Sequence, residues 1–172
     1  MLKIYLADNV IKVPLEENDA KEIAKIQNKN IGFRVGNTYT LKPYEALYLM
    51  YYNRAVLFKE KRMLSFEEGL NELSLLDEKV WVRFILFNDL QKRGYNVKRF
   101  LEEKISFFVS IKKGKASPEE YIFQAVLEGE PLTFEDLKKL AKEAIRLRKK
   151  IVLALIDKEG NITYYTFSYS TH

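Results

Sequence analysis

The residues best placed to do chemistry in this chain are cations. Lys138, Lys142 and Arg146 follow one another at four-residue spacing, which on a helix lines three side chains into one ridge. Lys149 continues the line if the helix reaches it, and Lys139, Arg148 and Lys150 flank it. From Lys138 to Lys150 seven basic residues meet one acid, Glu143, so this segment carries +6 while the rest of the chain sums to −1. A second basic stretch, Lys92 to Lys115, sets eight Lys or Arg against Glu102 and Glu103. Such a ridge suits a polyanion, because each phosphate neutralised releases counterions and adds affinity. The same pattern also describes a solvated helix face. Charge alone leaves both readings open.

Much other chemistry is excluded. The 172 residues include no cysteine and one histidine, the terminal His172. Disulfides, thiolate metal sites, cysteine nucleophiles, histidine zinc sites and a Ser-His-Asp triad therefore cannot be built within the chain. A metal-dependent nuclease of the restriction type needs an acid on one strand and Glu-x-Lys on the next to hold Mg²⁺. Ser106 to Ile111 offers no acid, and Glu120-Tyr121-Ile122 lacks the lysine. No metal and no cofactor are expected. No apolar run approaches the roughly 18–20 residues of a membrane span, and the first residues do not read as a secretion signal. No membrane association and a cytoplasmic location are the expectation.

The elements that must position these cations can be read from periodicity and punctuation. Hydrophobic residues make up 47% and charged residues 31%, a globular composition with room for one domain or two small ones. Lys3–Leu6 and Val10–Val13 read as strands around an Asp8-Asn9 turn, and Asn18–Asn28 as a helix. A short β region from Gly32 ends near Leu41. A helix follows from Pro43, and then a strand over Ala55–Phe58. Ser65 and Glu68 form a capping box opening a helix with Phe66, Leu70 and Leu73. Asp77 caps a longer helix to Arg93, stopped by Gly94, with Trp81, Phe84, Ile85, Leu86 and Leu90 spaced for burial.

Three strands are expected next, Tyr95–Phe100, Ile105–Ile111 and Tyr121–Leu127, the first two joined by an acidic Glu102-Glu103 turn. Thr133 caps a helix to about Leu147, whose core face is Leu137, Leu140, Ala141, Ala144 and Ile145. Ile151–Ile156 reads as a buried strand and Ile162–Tyr169 as a last strand. The shift from short mixed elements to a sheet-forming half lies near Leu76. The expectation is an α/β (α+β) chain, with a small mixed N-terminal domain at residues 1–76. A C-terminal domain at residues 77–172 would hold a central mixed β-sheet flanked by helices.

Several fragments taken together are recognisable. Arg93-Gly94-Tyr95-Asn96-Val97-Lys98 and Arg148-Lys149-Lys150-Ile151-Val152-Leu153-Ala154-Leu155-Ile156-Asp157, followed by Gly160 and Ile162-Thr163-Tyr164-Tyr165, resemble the archaeal tRNA-splicing endonuclease family. Glu45-Ala46-Leu47-Tyr48-Leu49 and Leu64-Ser65-Phe66-Glu67-Glu68 look like that family's N-terminal domain, in matching order and spacing. The resemblance covers most of the chain after about residue 40. It implies a nuclease-like C-terminal domain in a dimer or tetramer that excises introns at bulge-helix-bulge motifs of precursor tRNA. It also implies metal-independent cleavage to a 2′,3′-cyclic phosphate and a 5′-hydroxyl by a Tyr, His and Lys triad. That chemistry needs a base for the 2′-hydroxyl, an acid for the leaving oxygen and a cation for the phosphorane.

Matched onto this chain, the family's lysine is Lys149, its tyrosine position holds Ser110, and its histidine position falls near Pro118. A lysine by itself cannot be both proton donor and acceptor, and Ser110 has no histidine to activate it. Two of three roles are vacant. The expectation is a non-catalytic, structural subunit of a heteromeric enzyme, an α2β2 heterotetramer with a catalytic subunit that keeps the triad. By the resemblance, the acidic turn with Glu128 and Glu130 docks into a basic pocket of a neighbour. The last strand, carrying Tyr164, Tyr165 and Phe167, pairs tail to tail. Lys142 stands where the family has an arginine that holds a bulged base; it keeps the charge but loses guanidinium stacking. Lys138, Lys142, Arg146 and Lys149 are the RNA-contact candidates. The competing readings are a self-sufficient RNA endonuclease and a basic RNA-binding module.

Overall fold

A computed structural model of the chain describes residues 1–99 and 104–168. The chain divides into two compact units, Met1–Phe84 and Ile85–His172. Both are mixed α/β (α+β) structures.

In the first unit, β1 (Leu2–Ala7) and β2 (Val10–Val13) form a hairpin. Its Asp8 and Asn9 both adopt positive φ, as the tight turns that match strand twist require. The helix α1 (Ala20–Asn28) follows, its first turn capped by the Asp19 carboxylate accepting from the Lys21 amide at 2.7 Å. Then come β3 (Phe33–Val35), β4 (Thr38–Leu41), α2 (Pro43–Tyr51), β5 (Ala55–Lys59), β6 (Arg62–Met63) and α3 (Phe66–Leu76). The sheet order is β3-β4-β2-β1-β5-β6, with β1 and β5 parallel. The expected capping box at Ser65 is present: its hydroxyl accepts from the Glu68 amide at 3.2 Å, and the Glu68 carboxylate accepts from the Ser65 amide at 2.8 Å. Every residue of α2 from Tyr44 to Met50 is buried. The helix α3 reaches it through Gly69, where a β-carbon would lie 2.6 Å from Met50 Cε. The short strand β6 has no counterpart in the sequence reading, because its two residues follow a Glu60-Lys61 turn rather than an Asn-Gly signal.

The helix α4 (Val80–Lys92) runs across the division, and Gly94 follows at φ 76°. The second unit then holds β7 (Asn96–Arg99), β8 (Ser106–Ile111), β9 (Glu119–Leu127), α5 (Phe134–Leu147), β10 (Lys150–Ile156) and β11 (Ile162–Phe167). Its sheet order is β11-β10-β9-β8-β7, with β9 and β10 parallel and the other pairs antiparallel. A parallel pair needs a crossover, and α5 supplies it. Leu140 and Ala144 of α5 bury themselves on Ile122 and Ile151, with Phe108, Leu147, Leu153 and Phe167 around them. On the opposite sheet face the fully buried Phe87 of α4 lies 5.9 Å from Phe107, ring centre to ring centre. The expected acidic turn at Glu102-Glu103, Phe100 at the end of the strand expected before it, and Tyr169 and His172 lie outside the described residues.

Three burial expectations are corrected. Ile145 is 43% exposed: it follows the fully buried Ala144, so the helix turns it about 100° off the sheet. Leu155 is 41% exposed, since the cluster around α5 reaches only to Leu153 on that face. Trp81 is 44% exposed, with the Phe84 ring 5.2 Å from its own, centre to centre. Among the described residues, no helix is long and apolar enough to cross a membrane.

Candidate functional site

The strand registers of the second unit bring several of the singled-out residues to one end of the sheet. Ser110 of β8 sits directly opposite Glu120 of β9. Lys150 pairs with Tyr121, which places the preceding Lys149 beside Glu120. The turn into this position is made by Arg148, which ends α5 in the left-handed conformation at φ 54°. Lys149 therefore enters at the mouth of the sheet, on the α5 side.

There its ammonium is enclosed. The Lys149 side chain is 18% exposed, donates to Glu120 Oε2 at 3.2 Å, and lies 4.8 Å from the centre of the Phe108 ring. The Glu120 carboxylate is pulled both ways. Burial pushes its pKa up, while the Ser110 hydroxyl, the Lys149 ammonium and the charge of Lys98 outweigh this and hold it below the usual carboxylate range. The arrangement is a hydroxyl, a carboxylate and a cation in a row. Pro118 is exposed in the loop just before β9. It brings no ionisable group to this end of the sheet.

A second cluster occupies the other face of the same sheet end, because successive strand residues point to opposite sides. Tyr121 donates its hydroxyl to Glu119, and Lys150 and Lys113 approach the same carboxylate at 3.5 and 3.7 Å. The hydrogen bond to Glu119, with burial, pushes the Tyr121 phenol up to about 12. Tyr121, Lys113 and Lys150, all nearby, hold Glu119 low. Sequence reading missed this group. The adjacent acids Glu119-Glu120 at a strand start were its one visible sign.

The ridge residues Lys138, Lys142 and Arg146 are all exposed along α5. Arg146 is partly satisfied, with its Nε donating to Glu143 Oε2 at 3.1 Å. The box that opens this helix uses Thr133 and Asp136, so the acidic first turn and the basic last turn both match the helix dipole.

The docking candidates differ from one another. Glu128 and Glu130 are exposed on the turn around Gly129, and the Glu128 carboxylate accepts from the Lys158 amide at 2.8 Å. Tyr164 is half-buried: its hydroxyl donates to Asp89, the Arg93 guanidinium lies 4.8 Å from its ring centre, and Phe123 meets its edge at 5.6 Å. Burial and the Asp89 carboxylate push its phenol well above the ordinary tyrosine value. Phe167 packs against the α5 cluster. Tyr165, on an edge strand, is 54% exposed.

A two-unit α/β chain whose second sheet sets a lysine at the foot of a buried strand, beneath a cationic helix, finds its counterparts among RNA-processing enzymes. The profile of the tRNA intron endonuclease catalytic C-terminal domain matches residues 80–164. A tRNA-splicing endonuclease of Pyrococcus abyssi is 30% identical over 138 residues, covering 80% of each chain. One from Methanococcus vannielii is 28% identical over 154 residues, 88% of this chain and 86% of that one. One from Thermococcus kodakarensis is 31% identical over 121 residues, 70% of this chain and 71% of that one. The chain belongs to the tRNA intron endonuclease family.

Proposed function

We propose that this chain is the non-catalytic, structural subunit of a heteromeric tRNA-splicing endonuclease that removes introns from precursor tRNA at bulge-helix-bulge motifs. Its partner is a catalytic subunit that keeps the Tyr, His and Lys triad, and the assembly is an α2β2 heterotetramer. The observation that carries this reading is the pair of replacements at the family's proton-transfer positions, Ser110 on β8 and Pro118 before β9. A proline side chain has no proton to give or take, and a serine hydroxyl ionises too weakly to stand in for a tyrosine or a histidine at neutral pH. The remaining lysine is already paired with Glu120, which supports the same reading. The matched relatives carry the name tRNA-splicing endonuclease, and precursor tRNA is taken from them as the substrate.

Docking falls to the turn with Glu128 and Glu130 and to the edge strand β11. Among the described strands β11 pairs on one side only, with β10, and Tyr165 on it is exposed, so its other side is a surface that another chain could cover. The basic ridge of α5 is assigned to the phosphate backbone of the RNA.

Lys149→Ala tests the reading. A lysine that stabilises a transition state is worth about a hundredfold or more in rate. Here the variant, assembled with the catalytic subunit, is expected to cleave precursor tRNA within about fivefold of the parent. A hundredfold loss in single-turnover rate would return Lys149 to the chemistry. The ridge has a separate test. Changing Lys138, Lys142 and Arg146 together to Glu is expected to weaken RNA binding by the assembly and flatten its salt dependence. The logarithmic slope should fall by about 0.7–0.9 for each phosphate the ridge no longer neutralises. An unaltered slope would make the ridge a solvated face.

A further inference from the structure

We infer that Glu120 occupies the place of a phosphate at Lys149, so that the chain fills its own anion site with an internal carboxylate. The inference rests on the reading of Lys149 as the family lysine and deepens it, from a lysine left without partners for chemistry to a lysine closed to substrate.

The geometry separates this from an ordinary surface ion pair. Surface lysines keep their ammonium in water and gain little from a neighbour. The Lys149 side chain instead is four-fifths enclosed, with the Phe108 ring 4.8 Å away and a carboxylate oxygen at 3.2 Å. An ammonium held over an aromatic ring and largely out of water requires an anion, or it loses more solvation than it regains. Glu120 supplies one negative charge, as a phosphodiester would. Ser110 sits directly opposite it across the strands, and the Ser110 hydroxyl and the charge of Lys98 both favour its ionised form. Cation, hydroxyl donor and second cation are the partners a phosphoryl oxygen would ask for. The sheet fixes the substitution: Ser110 is the cross-strand partner of Glu120, and the β9–β10 register brings Lys149 to the same row. For a phosphate to bind, the carboxylate would have to give up these partners and remain nearby as a like charge.

The test uses the full chain without any partner or RNA. Inorganic phosphate is titrated at constant ionic strength, and the backbone amide shifts of Ser110 and Lys149 are followed by NMR. Glu120→Gln keeps the shape and removes the charge. It is expected to bind phosphate at least tenfold more tightly than the parent, and adding Lys149→Ala should abolish the gain. Glu120→Ala, as a second route should the amide variant fold poorly, is expected to show the same gain. Equal affinity in the parent and both Glu120 variants would overturn the inference, as would a gain that survives Lys149→Ala. Such a failure leaves the non-catalytic assignment standing, because that rests on Ser110 and Pro118 and is decided by cleavage.

Discussion

Reversing both charges of the acidic turn, Glu128→Lys with Glu130→Lys, is expected to weaken assembly with the catalytic subunit by roughly thirty- to several-thousand-fold. This corresponds to the about 2–5 kcal/mol commonly forfeited when one side of a desolvated charge pair is removed at an interface. The turn is suited to the task because it is exposed and its backbone is held by local hydrogen bonds. Gly129 takes φ 83°, a conformation that a side chain would strain. The Glu128 amide donates to the Ile156 carbonyl at 2.9 Å, while its carboxylate accepts from the Lys158 amide. The reversal therefore also removes an intramolecular acceptor. Glu128→Gln with Glu130→Gln keeps acceptors and drops the charge. It should lie between parent and reversal if the partner pocket reads charge. Analytical ultracentrifugation of the mixed subunits at moderate salt measures both. Unchanged association for the reversal would remove the turn from the interface.

Phe87→Ala should have the largest effect on folding. Phe87 is 2% exposed and meets Phe107 across the face of the second sheet that α5 does not cover. Truncating a buried phenylalanine costs about 3–5 kcal/mol, because transfer and cavity terms add. A domain of this size is stabilised by about 5–15 kcal/mol in total, so the loss would take between about a fifth and all of the second unit's margin. Urea unfolding followed by a probe in that unit, rather than one global signal, is the appropriate measurement, since two units need not unfold together. A destabilisation below about 1 kcal/mol would mean that α4 repacks freely and does not anchor the sheet.

Much of this architecture was legible because local chemistry announced it. Ser65 with Glu68, Pro43 at a first helical turn, Gly94 after a helix and Asp8-Asn9 between two strands each act within a few residues, and all stand where expected. The family could be read from fragments around Arg93 and Lys149 for the same reason. The failures share the opposite cause. Whether Trp81, Ile145 and Leu155 are covered depends on which neighbour arrives, and periodicity only marks a face. The Glu120–Lys149 pair was invisible for a stronger reason: its members lie 29 residues apart and meet only through the parallel register of β9 and β10. The hydrogen bond from the Tyr164 hydroxyl to Asp89 was hidden for the same reason, since Asp89 lies 75 residues earlier in the chain.

The central claim is that this chain contributes structure and RNA contacts while a partner contributes the chemistry. Its most direct test is cleavage of an intron-bearing bulge-helix-bulge RNA by this chain alone, by the catalytic subunit alone and by the two together, with chelator present throughout. The account predicts cleavage only in the mixture, leaving a 2′,3′-cyclic phosphate and a 5′-hydroxyl. Cleavage by this chain alone would contradict it, and would require a proton acceptor other than the vacant Ser110 and Pro118 positions.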